Sequence, residues 1–159
     1  MLNTLRNIVQ EVNTAPDLSG ALNIIVERVH GAMDTEVCSI YLLDPESHQY
    51  IMMATKGLNA EAIGKVRMGQ NEGLIGLVGM REEPLNLHNA PAHPRFIYFP
   101  VTGEERYKSF LGVPIIHHRK VLGVLVVQQH ASRLFDEGEE AFLKQARLIR
   151  RYGARKPFW

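Results

Sequence analysis

The chain has 159 residues, 45% of them hydrophobic, which is enough for one domain with a substantial core and too few for two. Its 18 basic and 17 acidic residues leave a net charge of +1, which argues against a nucleic-acid or membrane partner and favours a small molecule or a protein. The single cysteine, Cys38, excludes an internal disulfide and any multi-cysteine metal site, and is typical of a reducing cytoplasm. We therefore expect a cytoplasmic location.

The N-terminal residues predict an amphipathic helix followed by a second helix. No apolar run reaches transmembrane length, and the first twelve residues lack the continuous apolar stretch of a signal peptide. Proline at position 16 ends the first helix near residue 14, and Asp17 or Ser19 can cap a second helix that continues to about Met33. The apolar stripe of the first helix consists of Leu2, Leu5, Ile8, Val9 and Val12.

A β-hairpin is predicted next, from residues 37–43 and 50–54 with a turn at 44–47. In the first of these strands Ser39 and Tyr41 share one face. Whether that face lies under helices or lines a pocket stays open, because a shift of one residue reverses the assignment.

The middle of the chain predicts short elements. Residues 57–64 form a loop or a short helical turn, a short strand follows near 65–68, and residues 83–87 form a short extended piece. Residues 73–80 predict a short helix rich in glycine. The order G-x-x-x-x-G-K-[ST] is absent, so these glycines indicate close packing on a sheet instead of a phosphate loop.

Residues 88–103 predict a long irregular segment containing three prolines, and a loop of this length in a small domain is usually functional. Arg95 in this segment is either a solvated loop charge or a contact for a ligand carboxylate. A helical turn at residues 104–108 is expected to lead into the next strand.

Residues 110–129 predict a second hairpin whose arms, 111–116 and 121–127, are apolar at nearly every position. This indicates central strands that are covered on both faces. Gly112 and Gly123 are typical of packing or bulge positions. The polar turn between the arms consists of His117, His118, Arg119 and Lys120.

The last predicted helix is capped by Asp136 and covers residues 137–149, with Phe142, Leu143, Ala146 and Ile149 inward. Residues 1–149 thus form one domain, and residues 150–159 are either a disordered tail or an artificial extension. The element order predicts an α+β fold with a central antiparallel sheet.

No metal site, cofactor or catalytic constellation is predicted. Adjacent His117 and His118 should point apart, and His88 and His93 have no third ligand at a metal-like spacing. Cys38 should be a buried and unreactive residue. No sequence motif places a nucleophile, a base and an orienting group close together, so we expect that this chain is not an enzyme.

Four stretches carry a resemblance to GAF domains, and more narrowly to the N-terminal GAF domain of nitrogen-type phosphoenolpyruvate-protein phosphotransferases. They read A-M-D-T-E-V-C-S-I-Y-L at 32–42, N-E-G-L-I-G-L-V-G at 71–79, E-P-L-N-L at 83–87, and F-L-G-V-P-I-I-H-H-R-K-V-L-G-V-L-V-V-Q-Q at 110–129. The resemblance covers residues 1–146, beyond which the chain departs from the family pattern.

The resemblance implies a sheet with the terminal helices on one face and the short helix and long loop over the other, enclosing a small-molecule pocket. It implies a sensory domain that precedes phosphotransferase catalytic domains and responds to nitrogen and carbon metabolites such as glutamine or 2-oxoglutarate. The candidate ligand-binding residues are Ser39, Tyr41, Arg95, Tyr98, Phe110 and Gln128.

The alternative is a dimerisation and signal-transmission module without a ligand of its own, in which the first helix pairs with its copy. A homodimer is compatible with both functions.

Overall fold

The computed structural model describes residues 2–102 and 107–147, without the side chains of residues 2–5 and 9. This part of the chain contains four α-helices and a six-stranded sheet. The strands run antiparallel in the order β3-β2-β1-β6-β5-β4. This arrangement confirms the predicted α+β fold. The helices are α1 (Leu2–Thr14), α2 (Leu18–Met33), α3 (Gly73–Arg81) and α4 (Glu137–Ala146). The strands are β1 (Val37–Asp44), β2 (Gln49–Lys56), β3 (Arg67–Gly69), β4 (Leu85–Leu87), β5 (Ser109–His117) and β6 (Lys120–Gln129).

The sheet is buried on both faces, as the apolar arms of β5 and β6 predict. One face, called here the helical face, packs against α1, α2 and α4. The other, called the roofed face, packs against α3 and residues 88–102, which we call the roof. Buried strand residues on the helical face are Cys38, Ile40, Leu42, Ala54, Leu111, Val113, Ile115, Leu122, Leu125 and Val127. Those on the roofed face include Val37, Tyr41, Phe110, Val124 and Val126.

Helix α2 begins where the sequence predicts. Asp17 is its N-cap, and the Asp17 carboxylate accepts a hydrogen bond from the Gly20 backbone N–H at 2.7 Å. In α1, the side chains of Ile8 and Val12 are buried in the core of the helical face. The two helices therefore cover one side of the sheet together with α4.

The hairpin of β5 and β6 closes through a two-residue turn, His118 and Arg119, with φ of 50° and 64°. Both residues lie in the left-handed region, which defines a type I′ turn. The rings of His117 and His118 lie with centroids 3.9 Å apart. The expectation that these rings point apart was wrong, because the positive φ of His118 turns its side chain toward His117.

Helix α4 is held by a capping box in which Asp136 accepts from the Glu139 N–H and the Glu139 side chain accepts from the Asp136 N–H. Glu139 also receives two hydrogen bonds of 2.8 Å from the Arg133 guanidinium, which lowers the pKa of Glu139. The predicted end of the helix at Ile149 and residues 150–159 lie outside the described residues. So do residues 104–106 of the predicted helical turn at 104–108.

Candidate functional site

A small cavity lies on the roofed face, between the sheet, the start of α3 and the roof. Its volume is about 20 Å³, which suits one water molecule and is far below the roughly 300 Å³ of an ordinary ligand pocket. The roof has therefore closed onto the sheet, and a metabolite can occupy this place only after the roof moves. The lining residues are Tyr41, Met68, Gly73, Leu74, Ile75, Phe96, Ile97, Phe99, Phe110, Val126 and Gln128.

Gln128 is a buried polar residue in a cavity lined mostly by apolar side chains. Its side chain is only 2% exposed, and it lies on β6 directly opposite Phe110 of β5. Among the described residues, no hydrogen bond involves its carboxamide, although a carboxamide offers two donors and one strong acceptor. Leaving such a group unpaired costs about 1–3 kcal/mol of folding free energy. The buried amide is therefore the feature of this cavity that most needs a partner.

The rest of the lining is almost entirely apolar. Tyr41 and Phe110 are 3% and 4% exposed, and no charged side chain of the described residues lines the cavity. The sequence left open whether Tyr41 lies under the helices or lines a pocket. In the structure, Tyr41 faces the roof and not the helices. Three of the six candidate residues, Tyr41, Phe110 and Gln128, are thus brought together here.

The other three candidates do not line the cavity. Ser39 is on the roofed face, but its hydroxyl is paired with the Thr55 hydroxyl at 2.8 Å. Tyr98 is 37% exposed on the roof. Arg95 donates through Nη2 to the Asn71 carbonyl oxygen, which ties the roof to the turn before α3. This tether is a third role for Arg95, beyond the two that the sequence predicted.

The resemblance implied that the short helix and the long loop cover this face, but the sequence analysis named none of their apolar residues as candidates. Gly73, Leu74 and Ile75 line the cavity, as do Ile97 and Phe99. The helix itself was predicted correctly, but nothing in its periodicity shows which end approaches the strands. Val126 could have been found, because it lies two residues before Gln128 and therefore shares its face.

The structure offers no built metal site within residues 2–102 and 107–147, where no group of three His, Cys, Asp or Glu side chains is placed to hold an ion. None of the described helices is long and apolar enough to cross a membrane. Cys38 is fully buried on the helical face, where burial raises the pKa of its thiol and so disfavours the reactive thiolate.

This fold, with helices on one face and a roofed cavity on the other, is that of a known class of domain. The GAF domain family matches residues 17–146, and the chain belongs to that family.

Within the family, the chain is similar to GAF domains of phosphoenolpyruvate-protein phosphotransferases. The GAF domain of such a protein from Coxiella burnetii is 45% identical with a TM-score of 0.87, and the match covers 98% of this chain and 95% of that one. The corresponding Acinetobacter domain is 48% identical with a TM-score of 0.85, covering 97% and 94% of the two chains.

The chain is also similar to part of a longer protein. The phosphoenolpyruvate-dependent phosphotransferase system protein of Escherichia coli (strain K12) is 52% identical over 143 residues, which is 90% of this chain and 19% of that protein. The chain thus spans about a fifth of the length of this curated relative.

Proposed function

We propose that this GAF domain is the metabolite-sensing part of a phosphoenolpyruvate-protein phosphotransferase of the nitrogen phosphotransfer system, and that glutamine or 2-oxoglutarate binds under the roof. The observation that carries the proposal is Gln128, a carboxamide that is only 2% exposed, has no hydrogen-bond partner among the described residues and lines the cavity. A bound metabolite would supply the partner that the fold leaves out. In this view Tyr41 and Phe110 pack against the ligand. Ser39, Arg95 and Tyr98 act only if the roof rearranges around it.

The similarity to phosphotransferase GAF domains supports the phosphotransferase part of the proposal. The proposal adds the nitrogen system, a cytoplasmic location and catalytic domains as partners. This chain then regulates and does not catalyse. The ligand would change the position of the roof, because the cavity of about 20 Å³ is too small for it. Such a shift requires that the ligand bind the open conformation better than the closed one.

The test is the substitution Gln128→Met, which keeps the side-chain volume and removes the amide. We expect the free energy of unfolding without ligand to rise by about 1 kcal/mol, because an unpaired buried amide is removed. We also expect the metabolite effect to disappear. In the unsubstituted chain, glutamine or 2-oxoglutarate at about a hundred times its dissociation constant should stabilise the fold by about 2.7 kcal/mol. Chemical denaturation with and without each metabolite measures both quantities.

The control is Gln10→Met, the same change at an exposed position of α1, which should leave both quantities unchanged. Failure of both metabolites to stabilise the unsubstituted chain would contradict the proposal. So would a Gln128→Met variant that binds them as strongly as before.

Homodimerisation through α1 stays a prediction of the sequence. Ile8 and Val12, two residues of the apolar stripe of the first helix, pack in the core of the helical face of their own chain. Sedimentation of the chain with and without residues 1–14 distinguishes a dimer that depends on α1 from a monomer.

A further inference from the structure

A surface groove lies beside the C-terminal end of α3, at the opposite end of this helix from the roofed cavity. It runs between the last turn of α3, the turn before that helix, and the adjoining ends of β1, β2 and β6. The groove is open to solvent and has a volume of about 390 Å³, whereas small-molecule sites span roughly 300–1,000 Å³. No residue of the roof lines it. The groove is therefore separate from the cavity under the roof.

A buried hydroxyl without a hydrogen-bond partner lines this groove. Tyr50 is only 1% exposed, and its hydroxyl makes no hydrogen bond among the described residues. Burial, together with the negative charge of Glu82, raises the pKa of Tyr50 to about 12, so the hydroxyl stays protonated at physiological pH. Glu82 also lines the groove, yet no hydrogen bond joins its carboxylate to Tyr50. A ligand group that donates to both oxygens would satisfy the buried hydroxyl.

Volume alone does not distinguish this groove from other depressions of the surface. Two depressions along α1 and α2 have volumes of about 370 and 470 Å³. No buried polar side chain of the described residues lines either of them, and the Arg28 guanidinium and Glu11 carboxylate found there already form an ion pair of 2.9 Å. The unpaired hydroxyl of Tyr50 therefore distinguishes the groove beside α3.

Opposite charges line the groove. Glu82 follows the end of α3, where its backbone N–H donates to the Val78 carbonyl oxygen. The carbonyl oxygens of Gly79 and Met80 accept no hydrogen bond among the described residues, so the partial negative charge of the helix end adds to that of Glu82. Lys120, at the start of β6, supplies a positive charge and forms no ion pair with Glu82. Both charges are thus available to a ligand.

The groove also has an apolar part. Met80 is 52% exposed, and Leu43 and Val121 are half-buried. A ligand that covers these side chains removes apolar surface from water, which favours binding.

We propose that this groove binds a small molecule that carries both an ammonium and a carboxylate group, of which an α-amino acid with an aliphatic side chain is the simplest kind. The ammonium group donates to the Tyr50 hydroxyl oxygen and the Glu82 carboxylate, and the carboxylate pairs with Lys120. The aliphatic chain covers Met80. This second site is independent of the function proposed above, since it uses neither Gln128 nor the roof.

The experiment is a ¹H–¹⁵N NMR titration of the full chain with L-norleucine. We expect saturable shifts of the amide signals of Met80, Glu82 and Lys120, with the signals of Ile97 and Gln128 unmoved. N-Acetyl-L-norleucine lacks the ammonium group and L-norleucinamide lacks the carboxylate. Each should bind about tenfold more weakly than L-norleucine, the effect of losing hydrogen bonds to a charged group.

Substitutions at the two charges test their roles. Glu82→Gln and Lys120→Met should each weaken binding of L-norleucine about threefold, the effect of an exposed charge pair. Glu83→Gln and Lys65→Met are the matched controls, because both positions are exposed and neither lines the groove. These two variants should bind L-norleucine like the unsubstituted chain.

Tyr50→Phe tests the hydroxyl separately from the charges. Binding of L-norleucine should weaken about fivefold, because one hydrogen bond is lost. The unfolding temperature without ligand should be unchanged or higher, since the hydroxyl has no partner to lose. A lower unfolding temperature would show that the hydroxyl is already paired within the fold, which would overturn the proposal.

Two further results would overturn the groove site. One is a titration in which no signal shifts saturably, or in which only Ile97 and Gln128 shift. The other is equal affinity for L-norleucine and L-norleucinamide. Neither result affects the metabolite site under the roof, whose test uses glutamine, 2-oxoglutarate and Gln128→Met. Failure of that test in turn leaves the groove site intact.

Discussion

Gly79 on α3 limits how the helix packs on the roofed face. A Cβ at this position would coincide with the hydroxyl of Tyr50, a side chain that is 1% exposed. Burial, together with the negative charge of Glu82, raises the pKa of Tyr50 to about 12, so the hydroxyl is neutral at physiological pH. The glycine spacing of α3 thus reflects close packing on the sheet, which agrees with the interpretation of the sequence.

The substitution Gly79→Ala tests this contact. We expect it to lower the free energy of unfolding by about 1–3 kcal/mol, because the added methyl forces the helix and Tyr50 apart. The double variant Gly79→Ala, Tyr50→Phe should recover part of that loss, since it removes the hydroxyl 1.9 Å from the added Cβ but keeps the ring carbon Cζ at 2.9 Å. Urea denaturation measures both.

Gly31→Ala is the matched control, because Gly31 lies in α2 and a Cβ there would meet nothing within 4 Å. It should be neutral or stabilising by up to about 1 kcal/mol, in line with helix propensity. A Gly79→Ala variant as stable as the unsubstituted chain would show that α3 does not pack as closely as described.

At the level of elements, the β5–β6 turn is unusual in its residues. His118 and Arg119 both adopt positive φ, a conformation that costs a residue with a side chain roughly 1 kcal/mol. The register also shifts between Ile115 and Ile116, so that Leu122 has no partner on β5 and Gly123 lies next to the bulge. The sequence predicted the hairpin and the role of Gly123, because the apolar arms and the polar centre are local signals.

Replacing His118 and Arg119 by Asn and Gly should stabilise the protein by about 1 kcal/mol, because this pair suits a type I′ turn. Thermal unfolding followed by circular dichroism measures the change. Arg119→Ala is the control, since it removes the guanidinium but keeps a Cβ at φ 64° and so should not stabilise. A loss of stability in the Asn-Gly variant would contradict the turn assignment.

Across the whole molecule, the sequence predicted the order of elements and the two-sided sheet, because periodicity and turn residues act over short distances. It did not predict which face Tyr41 occupies, because a shift of one residue moves every side chain of a strand to the opposite face. Strand β1 has such a register irregularity against β2, between Ile40 and Tyr41. The tether from Arg95 to Asn71 joins residues 24 positions apart, and no local pattern encodes such a contact.

The size of the cavity could not be predicted from the sequence either. Long segments such as the roof can enclose a pocket or close onto the sheet with the same apolar residues. The cavity of about 20 Å³ shows the closed arrangement, with Ile97 over the start of α3. Under the proposed function, sensing would consist of opening this space and filling it with the metabolite. The proposal then predicts a change in the roof and no change in the helical face.

Hydrogen–deuterium exchange of the full chain with and without saturating L-glutamine or 2-oxoglutarate tests this account most directly. The expected result is altered exchange in the roof, residues 88–102, and slower exchange in the first turn of α3, with α1 and α2 unchanged. These effects should be absent in the Gln128→Met variant. Exchange that is unchanged throughout with both metabolites, or that changes only in α1 and α2, would contradict a ligand site under the roof.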